Sequence, residues 1–477
     1  MSVFLLCASV LLGGGTRAGV LGDVLLQFVS VPFLLAALWL WVDRLGAPGD
    51  WRGRLREPPV LLGCAFAGLG GLILLAQFIP LFGSVASSGI WNEIARHGGE
   101  AAPSGTGSSS VMPDLSAAAV AAVLPPLALF LLVALLGRRE RMRLAGWATL
   151  LGLVSLALGV LQILSGPASP LRFHWPTNTQ EAVGFFANRN HFAAQMYATL
   201  LLGLVWLTDR WQGRFSGPRF TAEKAQALGI AASFALLAVG AIALARSRAG
   251  IILTLLAFVP LVAAAPAVIG LLTGRRIEMG SGRIKAALGI GVVVLVIAAL
   301  GAERALPRFE ESVLSDLRGP LASATLSAAW DAFPSGAGLA SFVQVYQAYE
   351  TEGTLRIFYA NRAHNDWIEF LLETGLPGVL LTLVFLAWFG QRAWAAWFGT
   401  HRGLKPADRL LERIAALVVL LLLLHSFLDY PLRTGGMLAT FALCCGFLIP
   451  THALQAARPR AKGAPSGPRD GSFAPGH

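Results

Sequence analysis

Residues 225–274 read AQALGIAASFALLAVGAIALARSRAGIILTLLAFVPLVAAAPAVIGLLTG. Two apolar runs, each at or beyond the roughly 20 residues a helix needs to cross a hydrocarbon core of about 30 Å, meet at Arg246-Ser247-Arg248. The link has room only for a tight turn, so the chain crosses, reverses and crosses back. The rest of the sequence repeats this pattern. Its 477 residues are 55% hydrophobic and 13% charged, with mean hydropathy +0.65, more apolar surface than one soluble core hides. Charge-poor runs at 3–14, 20–42, 58–82, 115–137, 144–165, 188–208, 225–245, 249–274, 286–302, 367–390, 414–428 and 434–450 predict an all-α polytopic membrane protein with about twelve transmembrane helices. The opening MSVFLLCASVLLGGGTRAG lacks a basic segment ahead of its apolar run and a small-residue cleavage site, so it reads as a short first span. Cys7, Cys64, Cys444 and Cys445 lie inside apolar runs and suggest neither disulfides nor a zinc site.

Lys and Arg set the orientation, because positively charged loops stay in the cytoplasm. Segments 43–57, 137–143, 209–224, 274–285 and 391–413, with the tail after 450, hold 25 of the 37 basic residues and ten of the 26 acidic ones. All fall on one face of the twelve-span arrangement. Both termini are expected in the cytoplasm, and the basic pI reflects topology, with no nucleic-acid partner implied. Loops 83–114, 165–187 and 303–366 then face the outside. The Pro/Gly-rich residues 451–477 read as a disordered tail.

Arg246 and Arg248 break the charge rule, since this topology places them on the outer face. Snorkelling to water is the plain structural alternative. Other polar residues gather at the same face, however. FANRNHFA, residues 186–193, puts Asn188, Arg189, Asn190 and His191 at the mouth of the sixth span; capping needs one of them and leaves Arg189 and His191 unexplained. NRAHNDWIEFLLETGLPG, residues 361–378, opens the tenth span with His364 and Asn365. Asp366 and Glu369 there resemble a capping box. His425, Asp429 and Arg433 follow at four-residue intervals across the exit of the eleventh span, although Pro431 argues against a continuous helix. The outer segment 303–366 is too long for a turn. Helical spacing in LASATLSAAWDAF and LASFVQVYQAY, separated by PSGAG, predicts a cap of two amphipathic helices on the outer membrane face. The chain thus divides into N-terminal spans and first outer loop (1–114), a transmembrane core (115–302), the cap (303–366), C-terminal spans (367–450) and the tail (451–477).

The ordered set NRNHFA, SRAG, an arginine heading the long outer loop, Pro334-Ser335-Gly336-Ala337-Gly338, and His364-Asn365 with Glu373, Gly375 and Gly378 resembles the bacterial O-antigen ligase and O-antigen polymerase superfamily over about residues 115–450. The resemblance implies a C-type membrane glycosyltransferase fold. It also implies transfer of glycans from undecaprenyl diphosphate at the periplasmic face of the bacterial inner membrane, with lipid A–core, a growing glycan or a protein as acceptor. By motif position, the family's catalytic residues correspond to Arg248, Arg318 and His364.

The residue types suit that chemistry independently. A departing diphosphate needs cationic stabilisation. Many glycosyltransferases use a metal held by Asp-x-Asp, a spacing this chain lacks, so no cofactor is expected and arginine forks take the role. His364 has the pKa range to accept a proton from the acceptor hydroxyl, and an inverting displacement follows. Arg189, Asn190, His191, Arg246, Asn365, Asp429 and Arg433 are candidate substrate contacts. Two rivals remain at this point: a protein O-oligosaccharyltransferase within the same superfamily, and a polysaccharide flippase from another class. A transporter would carry ionisable groups near the midplane and often an inverted repeat, whereas the polar residues here are one-sided.

Overall fold

The computed structural model describes residues 1–16, 21–46, 66, 69–73, 110, 112–174, 178–215, 217, 221–274, 318–351, 359–399 and 406–450. The described residues are helical and contain no strand. In chain order the helices are α1 (Ser2–Leu12), α2 (Leu21–Gly46), α3 (Pro113–Ala121), α4 (Leu124–Ala134), α5 (Arg138–Leu164), α6 (Arg189–Arg210), α7 (Ala222–Leu244), α8 (Arg248–Thr273), α9 (Arg318–Asp331), α10 (Phe342–Tyr349), α11 (Asp366–Phe398), α12 (Pro406–His425) and α13 (Gly435–Phe447). Leu21–Asp43, Asp114–Ala134, Arg138–Leu164, Arg189–Arg210 and Asp366–Phe398 are long and apolar enough to cross a membrane. The span expected at 286–302, nearly all of that at 58–82, and the tail lie outside the described residues.

From α4 to α8 and again from α11 to α13, successive helices run in opposite directions, and hydrogen bonds at the two ends of the bundle show it. At one end Ser247 Oγ at the start of α8 bonds Asn190 in α6, the Asp366 N–H at the start of α11 reaches Ser426 O just past α12, and the Gly436 N–H of α13 meets Gly13 O after α1. At the other end Arg138 of α5 pairs with Asp209 of α6 and Asp408 of α12. There Arg141 donates to Ala134, Phe447 and Ile449 carbonyls, Arg392 to Leu448 O, and Arg413 to Ala396 and Trp397. These guanidiniums satisfy carbonyls that helix C-termini leave open, and they complement the negative end of the helix dipole. The arginines that set the orientation in the sequence are therefore also caps.

Helix α6 is the centre of the bundle, packed on α5, α7, α8 and α12, with Phe192, Met196, Tyr197 and Leu201 buried. Gly152 of α5 faces Thr199 of α6 so closely that a Cβ would overlap the threonine hydroxyl. Small residues let membrane helices approach where no hydrophobic force separates lipid from protein. Phe28, Leu35, Trp39 and Val42 on α2 are exposed and recur on one helix face, the side that suits lipid contact. Helix α12, where the charge-poor run 414–428 is expected to cross, begins earlier at Pro406 and carries Asp408, Arg409, Glu412 and Arg413 in its first turns.

Two interruptions depart from simple spans. The apolar run 115–137 is divided into α3 and α4, with Pro125 and Pro126 in the first turn of α4. Helix α11 breaks at Gly375, which takes φ 57° and ψ −144°. The PSGAG turn between the cap helices plugs the break. Ala337 and Gly338 N–H groups donate to Leu372 and Glu373 carbonyls at 2.8 and 2.9 Å, and Leu376 N–H donates to Pro334 O at 2.8 Å. A Cβ on Gly375 would collide with Pro334 O. The cap helices α9 and α10 thus share a small core with α11, formed by Leu321, Ala328, Phe342, Val345, Tyr346 and Leu372.

Candidate active site

Asp429 is the hub of the end where α6, α8 and α11 begin. Helix α12 stops at His425, and the chain turns back through Ser426–Asp429, with the Asp429 N–H still bonded to His425 O at 2.9 Å. This places a wholly buried carboxylate among three motifs. Asn188 and Asn190 donate their side-chain amides to Oδ2 at 3.0 and 2.7 Å. His364 Nδ1 lies 2.8 Å from Oδ1, and His191 Nε2 is 3.9 Å from Oδ2. Burial alone pushes the Asp429 carboxyl up; the His364 hydrogen bond and the charges of His364, His191 and His425 outweigh it and hold the group well below the usual carboxylate range.

Local sequence explains each position. Asn188 caps α6, accepting the Asn190 N–H at 2.8 Å, which leaves its amide for Asp429. Ser247 caps α8 through the Gly250 N–H at 3.0 Å, and its hydroxyl donates to Asn190 Oδ1 at 2.8 Å. NRNHFA and SRAG therefore meet through one serine–asparagine bond. His364 adopts φ 52°, a strained backbone state for a residue with a Cβ. Asn365 next to it caps α11, with Oδ1 accepting from Trp367 and Ile368 at 3.1 and 3.2 Å and Nδ2 donating to Phe427 O. The expected capping box is thus replaced: Asn365 does the capping, its amide engaged by protein on both sides.

Asp366 and Glu369 instead join a buried ionic cluster beneath the histidine. Ser426 Oγ and Leu432 N–H donate to Asp366, and Ala363 N–H and Arg362 Nη1 each donate to Glu369 at 2.9 Å. Arg433 Nη1 bonds Glu373 Oε2 at 2.6 Å, with Asp366 and Glu369 at 3.5 and 3.6 Å from its Nε. Burial lowers the Arg433 pKa, yet Glu373, Glu369 and Asp366 raise it well above its ordinary value. Its Nε and Nη1 face these protein carboxylates, while Nη2 is buried without a hydrogen-bond partner.

Among the other expected contacts, Arg189 turns from the hub to Glu181, at 2.8 Å. His191 is fully buried, edge-on to Tyr430 at 4.9 Å between ring centres, and Tyr430 meets His364 edge-on at the same distance. Asn190 and His191 thus support Asp429 from below. Arg246 is exposed with φ 48°, and Arg248, the first residue of α8, is half-buried. Arg318 begins α9, half-buried, and its charge is felt at His425. The described residues include no group of three or more His, Cys, Asp or Glu arranged to hold a metal ion.

Residues 232–383 match the family model for O-antigen ligase. Over that segment the chain is similar to the O-antigen ligase family. No curated protein matches the chain. The matched segment contains the SRAG turn, Arg318, His364 and the break in α11 at Gly375, while Asn188, Asn190 and Asp429 lie outside it and meet His364 in space. Sequence reasoning missed Tyr430, Tyr197 (whose hydroxyl lies 3.2 Å from His425 Nδ1) and Arg362. Tyr430 had a signal in its place beside Asp429; Tyr197 had none, standing in an apolar run.

Proposed function

We propose that this protein transfers a glycan from undecaprenyl diphosphate to a hydroxyl on lipid A–core or a growing polysaccharide, at the periplasmic face of the bacterial inner membrane. The membrane region has about twelve spans in a C-type glycosyltransferase arrangement, with both termini in the cytoplasm. The observation that carries the reading is the His364–Asp429 pair at 2.8 Å, in a chain similar to the O-antigen ligase family over residues 232–383. An ionised Asp429 accepts from His364 Nδ1–H, which leaves Nε2 as the proton acceptor. His364 is about a third exposed while Asp429 is sealed, so base and orienting group are divided as the chemistry requires.

His364 Nε2 takes the acceptor's proton as its oxygen attacks the anomeric carbon. The sugar–diphosphate bond breaks from the opposite face, with inversion. Arg248 and Arg318 stabilise the negative charge that develops on the leaving diphosphate, a role that needs no metal. The test is transfer by the purified protein from an undecaprenyl-diphosphate-linked glycan to separate lipid A–core, glycan and protein acceptors. Product on lipid A–core or glycan supports the reading; product on protein alone replaces it with protein glycosylation, and no transfer to any acceptor refutes it.

A further inference from the structure

Arg362 lies two residues before His364. Its side chain is 15% exposed, yet among the described residues only its Nη1 is hydrogen-bonded, to Glu369, and Nε is buried with no partner. A mostly buried guanidinium with unused donors carries a desolvation cost that the protein does not return. Glu369 is itself pinned by the Ala363 N–H at 2.9 Å, so the guanidinium is set in place before a ligand arrives. Its charge is felt at His191, at Tyr430 and at Asp23 near the start of α2. Two residues ahead of His364 and bonded to Glu369 in the first turn of α11, Arg362 stands beside His364. Of the acidic groups around it, Glu369 is hydrogen-bonded to it, while Asp23, Glu373 and Asp429 are not.

In the transfer proposed above, on which this inference rests, the acceptor approaches His364 and the diphosphate leaves from the opposite face. A guanidinium on the His364 side is placed for the acceptor. We propose that Arg362 binds an oxyanion on the acceptor, and that the acceptor is therefore an acidic sugar, with a carboxylate or phosphate beside the attacking hydroxyl. Arginine suits both groups because its planar fork presents paired N–H donors to their oxygens.

The experiment measures binding to purified wild-type, Arg362→Gln and Arg362→Lys proteins in lipid nanodiscs. The probes are trisaccharides of equal length ending in glucuronate, glucose 6-phosphate or glucose, with undecaprenyl diphosphate measured separately. Wild type should bind the acidic probes roughly tenfold tighter than the neutral one, as expected for a charge-assisted hydrogen bond. The stronger of the two acidic arms identifies carboxylate or phosphate as the source. Arg362→Gln should erase the acidic preference, and Arg362→Lys, which keeps a cation against Glu369, should retain part of it. The undecaprenyl diphosphate affinity should stay within about twofold, well under the effect of losing a charged contact. Weakened undecaprenyl diphosphate binding with an unchanged acidic preference would assign Arg362 to the donor and overturn the inference. Equal losses for every ligand, or a wild type without acidic preference, would overturn it as well. Binding is read without turnover, so a protein that prefers acidic probes but transfers nothing sinks the transfer reading alone.

Discussion

At the scale of single residues, Asp429 and His364 work as a pair and should fail differently. Asp429→Asn keeps the shape of the hub but removes the ionised acceptor on His364 Nδ1, so we predict turnover reduced on the order of 10²-fold or more, with donor affinity retained. His364→Ala should give a folded protein, because Asn365 caps α11; near-normal turnover in that variant would remove the histidine from the mechanism. Arg248→Lys keeps charge and loses the fork. Its transfer should fall by about 10²-fold, and wild-type activity should survive EDTA; magnesium-restored activity after chelation would defeat the arginine role. The depressed pKa of Asp429 also has a signed consequence for stability. A carboxylate lowered in the folded state stabilises fully above its unfolded value of about 3.9, and that contribution is lost as pH falls below it. The melting-temperature advantage of wild type over Asp429→Asn should therefore narrow on acidification below about pH 4.

At the scale of elements, the interlock of α11 with the turn between α9 and α10 accounts for two glycine motifs at once. Gly375 supplies a backbone state that residues with a Cβ resist, and it leaves space for Pro334 O, while Gly338 sends its N–H to Glu373 O. Gly375→Ala combines strain of about 1–3 kcal/mol with a backbone collision. It should lower the melting temperature and loosen the cap, read as faster proteolysis within 318–351. An unchanged melting temperature and digestion pattern would show that the plug does not hold the cap. Both glycine motifs were visible in the sequence as separate signals. Their contact was not, because the hydrogen bonds join residues 35 to 42 positions apart, and helical periodicity carries no information at that separation.

At the scale of the whole molecule, topology is the prediction with most resting on it. Single cysteines in a protein freed of native cysteines should label from the periplasm within 165–187 and only after permeabilisation within 208–224. Periplasmic labelling of 208–224 would invert the bundle and remove the site from its proposed compartment. The membrane class, most helix positions and the gathering of polar residues at one end were legible in sequence, because hydrophobic length and Lys/Arg placement act on each segment separately. Pairing was not legible in this way. That Arg433 sits against Glu373, Glu369 and Asp366 is seen only in the fold. Asn190 and His191, at an outer helix mouth in the sequence, lie beneath a carboxylate. Composition and spacing by themselves determined that this chain crosses a membrane and which residue types reach one face. Tertiary structure alone decided which charges pair with one another inside the protein, because that depends on distances of a few ångströms between helices remote in sequence, in a medium where an unpaired charge is costly.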